Sequence, residues 1–316
     1  MALVQLPRGD CRAVTSNPFC ALVGVARPLQ QAAMTRVTTP ALVAAVSNAG
    51  ALGMVAVGRT AAPQVSLQLD EIGRLTDKPF GVGAIVRYLN RDTLAMVAER
   101  VRVIEFFYDW PDPTLVLPGI VTGWQVGTVD EAKAAVDVGC AFVIAQGIEA
   151  GGHVRSTVPL AELLPAVRAA VDVPIVAAGG IGTSADVRTA LALGADAVRV
   201  GTRLLAAAES DIHPTYLAGL IAANADDAEF TDVFSVGWPD APQRALGTAI
   251  AAACADGPDP VGYLGDLALP RRGTTPPSSG TTGQIEAMAL YAGRSVGAVT
   301  RCAPAAVIID ELLEGV

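Results

Sequence analysis

The residues best suited to chemistry stand in Gln146-Gly147-Ile148-Glu149-Ala150-Gly151-Gly152-His153, where a histidine closes a glycine-rich run directly after the apolar stretch Phe142–Gln146. An imidazole ordinarily titrates at about pH 6.5, so it can take and return a proton near neutrality. His153 reads either as such a base or as a residue that merely bonds a loop carbonyl. A second group is Gly179-Gly180-Ile181-Gly182 together with Gly201-Thr202, each leading into a helical stretch. The first N–H groups of a helix lack internal partners, and glycine lets a phosphate approach the backbone, so the pair reads as a phosphate cradle. Tight turning alone also uses glycine. The run lacks G-x-G-x-x-G spacing and comes too late in the chain for a dinucleotide fingerprint. The other histidine, His213, precedes Pro214 at a helix start and reads as a surface residue.

Both groups need elements that present them on one face. Short β-branched runs recur at Leu29–Ala33, Leu52–Val57, Phe80–Val86, Arg102–Phe107, Ile120–Val126, Phe142–Gln146, Pro174–Ala178 and Ala197–Gly201. Amphipathic stretches alternate with them, among them 39–48, 92–100, 129–138, 160–171 and 184–193. Eight strands alternating with helices predict an α/β (β/α)₈ TIM barrel, whose sites lie at the strand C-termini, with phosphates after strands seven and eight. Thr128 and Ser184 read as helix caps, and Gly139 and Gly194 as left-handed helix ends. The crossover Tyr108–Gly119 is Pro-rich and too short for a good helix. Residues 1–203 and 284–316 are expected to build the barrel, and 204–283 a helical cap with a flexible loop, 271–283, over its mouth. Two closing helices are expected at 284–291 and 304–313. Phe106, Phe107, Trp110 and Trp124 near strand ends, and Trp238 from the cap, are candidate pocket walls. Asp226-Asp227 reads as a solvated helix face.

The chain has 316 residues, 52% of them hydrophobic, and a formal charge of -9. The apolar runs are interrupted well short of the roughly 20 residues a membrane span needs, which leaves a buried parallel sheet as their place. Net negative charge argues against nucleic acid as a partner. Lys78 and Lys133 are the only lysines, so arginine carries the positive charge. Cys11, Cys20, Cys140, Cys254 and Cys302 are scattered without CxxC spacing, which predicts neither a metal site nor a disulfide framework. No signal-peptide pattern opens the sequence, so a cytoplasmic location is the expectation.

Ala145-Gln146-Gly147-Ile148-Glu149-Ala150-Gly151-Gly152-His153 closely resembles the signature of the nitronate monooxygenase (2-nitropropane dioxygenase) family. The resemblance extends over Gln31–Met34, Thr39-Pro40, Ser47–Gly53, Ala177–Ile181, Gly194–Val198, Gly201–Arg203, Glu209-Ser210 and Tyr291–Ser295. It implies a TIM barrel that binds FMN. By position, Ala32, Ala33 and Met34 would line the flavin ring; Gln146, Gly151 and Gly152 would border it. Gly179, Gly180, Gly201 and Thr202 would hold its phosphate, and His153 would be the base. The reaction implied is oxidation of a small alkyl nitronate or nitroalkane by dioxygen. Steering of the anion would fall to Arg155 or Arg203. The chain departs from the family at Ala33, where proline is usual, at Gly83, where asparagine is usual, at Val154-Arg155 after the histidine, and at Arg294, where glutamine is expected. The rival is an FMN-dependent NAD(P)H reductase of the enoyl-thioester kind, which shares the glycine-rich signature and the histidine. A third reading, a non-catalytic flavin or phosphate carrier, leaves His153 without a purpose. The sequence does not give the oligomeric state.

Overall fold

The computed structural model describes residues 17–58 and 60–316. Each expected strand forms within two residues of its expected limits: β1 (Leu29–Gln31), β2 (Gly53–Val57), β3 (Phe80–Ile85), β4 (Val103–Phe107), β5 (Val121–Val126), β6 (Phe142–Gln146), β7 (Ile175–Ala178) and β8 (Ala197–Val200). All pair in parallel, in the order β1-β8-β7-β6-β5-β4-β3-β2. A bridge between Gln30 and Leu52 joins the two ends, with Gln31 N–H donating to Leu52 O and Leu52 N–H to Leu29 O, both at 2.9 Å. The sheet is therefore a closed (β/α)₈ barrel.

Outside the strands lie α2 (Pro40–Asn48), α3 (Ala62–Leu75), α4 (Arg91–Ala98), α5 (Val129–Asp137), α6 (Leu160–Ala170) and α7 (Ser184–Ala192), preceded by α1 (Pro18–Val23). Thr128 caps α5, its hydroxyl accepting from Glu131 N–H. The cap of α7 is Thr183 rather than Ser184, because Asp186 reaches back to complete a reciprocal capping box with Thr183. Gly139 and Gly194 take φ of +101° and +102° at the helix ends, as expected. The β4–β5 crossover holds only a 3₁₀ turn, Pro113–Leu115.

Strand alternation sorts the barrel interior into two layers. The lower layer is apolar: Met54, Val103, Phe142, Ile144, Val176 and Ala197 meet there, and α1 plugs the base with Phe19 edge-on to Phe142 at 5.6 Å. A Cβ at Gly123 would run into the Phe142 ring, so glycine makes room for the aromatic filler. Full burial of each large side chain contributes about 1.5–3 kcal/mol. The upper layer is polar, with Gln30, Glu105, Gln125, Gln146 and Arg199 beneath the mouth.

Past the four-residue α8 (Thr202–Leu205) the chain is mixed rather than helical. It forms α9 (Pro214–Ala222) and α10 (Gly247–Cys254), but also strands at Ala228–Thr231 and Gln243–Leu246 that join Gly152–His153 in an antiparallel sheet. A second small sheet combines Gly262–Leu264, Leu267–Leu269 and Thr281–Gly283. The alternation of Ala228-Glu229-Phe230-Thr231 and the pairing of Gln243 with His153 draw these stretches into strands, which alanine content alone did not reveal. The stretch 271–283 is pinned rather than free: Arg272 O accepts from Val236 N–H, Asp211 O from Ser279 N–H, and Thr274 O from the Tyr291 hydroxyl. Residues 284–291 form one 3₁₀ turn, Ile285–Ala287, and then extended chain, while α11 (Ala305–Leu312) forms as expected. Apolar residues of 285–299 share a core with α9 and α10, whereas Ala303–Leu313 pack on the barrel.

Cys20 and Cys140 are buried, which pushes their thiols up to about 11 and about 12 respectively, and Cys254 and Cys302 are exposed. Cys11 lies outside the described residues. Among the described residues no helix is long and apolar enough to cross a membrane.

Candidate active site

The C-terminal ends of the strands open into a cavity of about 610 Å³, within the usual range for a small-molecule or cofactor site. All eleven residues singled out from the sequence line it: Ala32, Ala33 and Met34 after β1; Gln146, Gly151, Gly152 and His153 after β6; Gly179 and Gly180 after β7; Gly201 and Thr202 after β8.

The two ends of the cavity differ in chemistry. One end is walled by glycine. Gly179 and Gly180 take φ of +114° and +73°, conformations that only glycine adopts cheaply. Asp186 holds the N–H groups of Gly182 and Thr183 at 3.0 and 2.8 Å, fixing the turn so that Gly179, Gly180 and Ile181 face the cavity. Gly151 packs directly on the backbone of Ala292 and Gly293; a Cβ there would lie 2.7 Å from the Ala292 carbonyl carbon. The Thr202 hydroxyl accepts from Gly293 N–H at 3.0 Å, which leaves its proton to donate elsewhere. Ser295 closes this end.

The other end is aromatic. Tyr88, Phe107, Trp238 and Tyr291 line it, and His153, directly after Gly151-Gly152, lies against Trp238 and 5.6 Å from Tyr291. The backbone of His153 is braced from both sides. Gln146, buried in β6, donates from Nε2 to His153 O at 3.1 Å and accepts from Arg155 N–H at 3.0 Å, so its amide fixes the loop as well as facing the cavity. Across the small antiparallel sheet His153 pairs with Gln243 and Gly152 with Arg244, and the Arg244 guanidinium donates to Ile148 O and Ala228 O. Tyr216 is buried and Tyr291 half-buried, and burial raises both phenols above their ordinary range.

Beneath the mouth a buried ion pair spans the barrel. Arg199 Nη1 lies 2.5 Å from Glu105 Oε1, and Gln30 Nε2 donates to Glu105 Oε2 at 2.8 Å. Burial raises the Glu105 carboxyl, and the neighbouring Arg199 only partly opposes it. Gly83 sits beside Glu105 in register, and a Cβ there would lie 2.5 Å from Ala33 Cβ and 2.9 Å from Glu105 Oε1. The two departures at positions 33 and 83 are thus one packing arrangement.

Other expectations fall elsewhere. Trp124 and Phe106 are buried in the barrel–helix core, their rings 5.2 Å apart, because they point outward from β5 and β4. Trp110 is exposed on the β4–β5 loop. Arg155 is bound 2.6 Å from buried Glu131 and lies over the Tyr108 ring, and Arg203 turns outward to Glu311 on α11 at 2.6 Å, so neither lines the cavity. His213 caps α9, accepting from Thr215 N–H at 3.1 Å. Asp226 and Asp227 sit on an exposed 3₁₀ turn where Asp226 pairs with Arg294. Sequence reasoning missed Glu105, Arg199, Gln125 and Tyr88. A lone glutamate in Val103-Ile104-Glu105-Phe106-Phe107 and a lone arginine in Ala197-Val198-Arg199-Val200 were the available signal, since opposite charges inside apolar strands need one another.

Comparison with known proteins agrees with this geometry. The profile of the nitronate monooxygenase family matches residues 16–102 and 86–315. A probable nitronate monooxygenase of Bacillus subtilis is 30% identical over 267 residues, covering 69% of this chain and 77% of that one. A (3aS,4S,5R,7aS)-5-hydroxy-7a-methyl-1-oxo-octahydro-1H-indene-4-carboxyl-CoA dehydrogenase of Rhodococcus jostii is 38% identical over 201 residues, 60% of this chain and 55% of its own length. Among solved structures, FabK from Thermotoga maritima superposes with a TM-score of 0.77 at 28% identity, covering 95% of this chain and 96% of that one. With its barrel, its glycine-walled cavity and its signature histidine in place, the chain belongs to the nitronate monooxygenase family of flavin-dependent oxidoreductases.

Proposed function

We propose that the protein binds FMN in this cavity and oxidises alkyl nitronates and nitroalkanes with dioxygen, His153 serving as the base. The observation that carries the reading is that His153 lines the same cavity as the glycine loops, directly after Gly151-Gly152 and against Trp238 and Tyr291. The lining fits the cofactor. Gly179, Gly180, Gly201 and Thr202 offer backbone and hydroxyl donors to a phosphate, and Gly151 and Gly152 let a flat ring approach the chain. Ala32, Ala33 and Met34 supply small apolar contacts on the β1 side. FMN, when bound, supplies the redox chemistry, accepting an electron from the substrate and engaging dioxygen.

The protein's own part is placement and proton handling. A neutral nitroalkane must lose a proton from the carbon beside the nitro group, and His153 takes it at the imidazole. The nitronate already lacks that proton. The aromatic end holds the alkyl portion and keeps water from the reacting carbon, and residues 204–283 act as a cap over the mouth. His153→Asn should therefore lower kcat/KM for neutral nitroethane by about 10²–10⁴-fold while leaving ethylnitronate within tenfold. Unchanged turnover of the neutral nitroalkane would remove the base assignment.

A second reading is supported by the superposition on FabK over nearly the whole chain and by the thioester named in the Rhodococcus relative. On this reading a nicotinamide enters the same mouth as donor and His153 gives its proton to an enoyl thioester. The family profile and the Bacillus relative favour the oxidation of nitronates.

A further inference from the structure

Trp238 belongs to the cap, yet its indole lies flat against the His153 imidazole, with ring centroids 4.0 Å apart and planes inclined by 24°. It is buried and held from several sides. Tyr108 meets its edge at 4.8 Å and Tyr88 at 5.4 Å. The Tyr88 hydroxyl donates to Gly237 O at 2.9 Å, and the Trp238 backbone N–H donates to Ser235 O at 3.0 Å. Gln243, fully buried, brackets the loop by donating its amide to the carbonyls of Phe234 and Ala241. Gln243 is also the strand partner of His153. One cap segment therefore grips both the backbone and the ring of the same histidine.

The face of an indole carries negative charge density, so it attracts a cationic ring lying over it more strongly than a neutral one. Two phenols and two engaged guanidiniums also stand near the imidazole. Tyr291 at 5.6 Å and Tyr108 at 6.5 Å are phenols that burial keeps neutral. Arg155, two residues on, is engaged by Glu131 and the Tyr108 ring, and Arg244, opposite Gly152, by the carbonyls of Ile148 and Ala228. Asp109 and Asp240 bear on the Tyr108 phenol. We infer that Trp238 is a positioning residue for His153: it fixes the plane of the imidazole at the cavity and stabilises its protonated form. The inference deepens the reading of His153 as the base and takes its catalytic meaning from that reading.

The chain has two histidines, which makes the test direct. NMR titration of the whole protein labelled with [¹³Cε1]-histidine yields two resonances, with His213 as internal control. Trp238→Leu keeps apolar bulk but removes the aromatic face, and should lower the His153 pKa by roughly 0.5–1 unit with His213 unmoved. Trp238→Phe keeps a face and should stay nearer the parent than the leucine variant. If Trp238→Leu fails to fold, Trp238→Met makes the same comparison. Parent-like titration of the leucine variant would overturn the inference, as would equal displacement of His153 in the Phe and Leu variants. The two readings fail separately: an unmoved titration beside a crippled His153→Asn enzyme sinks the stacking role alone. A moved titration beside a fully active His153→Asn enzyme sinks the base assignment and leaves the stacking standing.

Discussion

Adding one methyl group at Gly83 should disturb the cavity floor out of proportion to its size. A Cβ at that position would stand 2.5 Å from Ala33 Cβ and 2.9 Å from Glu105 Oε1. Carbon–carbon contacts are most favourable at about 3.5–4.0 Å, so the first separation must open by roughly 1 Å. Neither carbon can rotate away, because each hangs directly from backbone, one just past β1 and one within β3. Overpacking of this kind costs about 1–3 kcal/mol. Replacing glycine in a strand interior returns about 0.5–1 kcal/mol in chain entropy, so Gly83→Ala should lose about 1–2 kcal/mol net. Ala33→Gly removes the obstructing methyl. The double variant should then be more stable than the sum of the single changes allows, with a coupling of about 1 kcal/mol or more. Urea denaturation midpoints of the four proteins, each saturated with flavin, measure this. A Gly83→Ala protein as stable as its parent, or strictly additive changes, would refute the packing argument and with it the explanation of why alanine and glycine occur together at these positions.

The buried pair makes a second test. Glu105→Gln leaves the Arg199 guanidinium buried beside a neutral amide and should cost about 3–5 kcal/mol, most of which Glu105→Gln with Arg199→Met should restore. The pH dependence has a definite sign: because burial raises the Glu105 pKa in the folded chain, its stabilising contribution is full below the unfolded value of about 4.3 and is lost as pH rises through the raised one. Urea midpoints should fall less steeply with rising pH above about 4.3 for the double variant than for the parent. At the alkaline end, Tyr108, Tyr216 and Tyr291 all have phenols raised by burial. Each is protonated in the fold after it would ionise unfolded, so stability should drop above about pH 10 by up to roughly 1.4 kcal/mol per unit and per tyrosine. Tyr216→Phe should soften that slope, and ultraviolet titration of the folded protein should show Tyr216 and Tyr291 silent until it unfolds.

The barrel was legible in the sequence because seven of its eight strands are short runs containing β-branched residues, each set apart from the next by a polar or helical stretch. The glycine loops and His153 were legible for a related reason: a strand C-terminus is the one place where a run of glycine followed by histidine has a chemical use. What escaped was set by contacts distant in sequence. Glu105 and Arg199 look anomalous in their own strands and make sense only when β4 and β8 face each other across the barrel. Residues 228–231 and 243–246 have the composition of a helical region, and become strands because Gln243 and Arg244 find Gly152 and His153 as partners. Arg203 was read as a steering charge because it follows the phosphate-like loop, but its side chain leaves the barrel toward Glu311. Trp238 was legible as a pocket aromatic, though nothing in its neighbourhood of sequence placed it on the face of the histidine.

On the proposed function, electrons reach the flavin from a nitronate. The most direct measurement is anaerobic bleaching of the flavin in the purified protein, comparing ethyl- and propyl-nitronate with NADH and NADPH. Rapid bleaching by either nitronate, with no comparable response to the nicotinamides, is the predicted result. Rapid bleaching by NADH or NADPH with no response to a nitronate would contradict it and assign the cavity to a reductase.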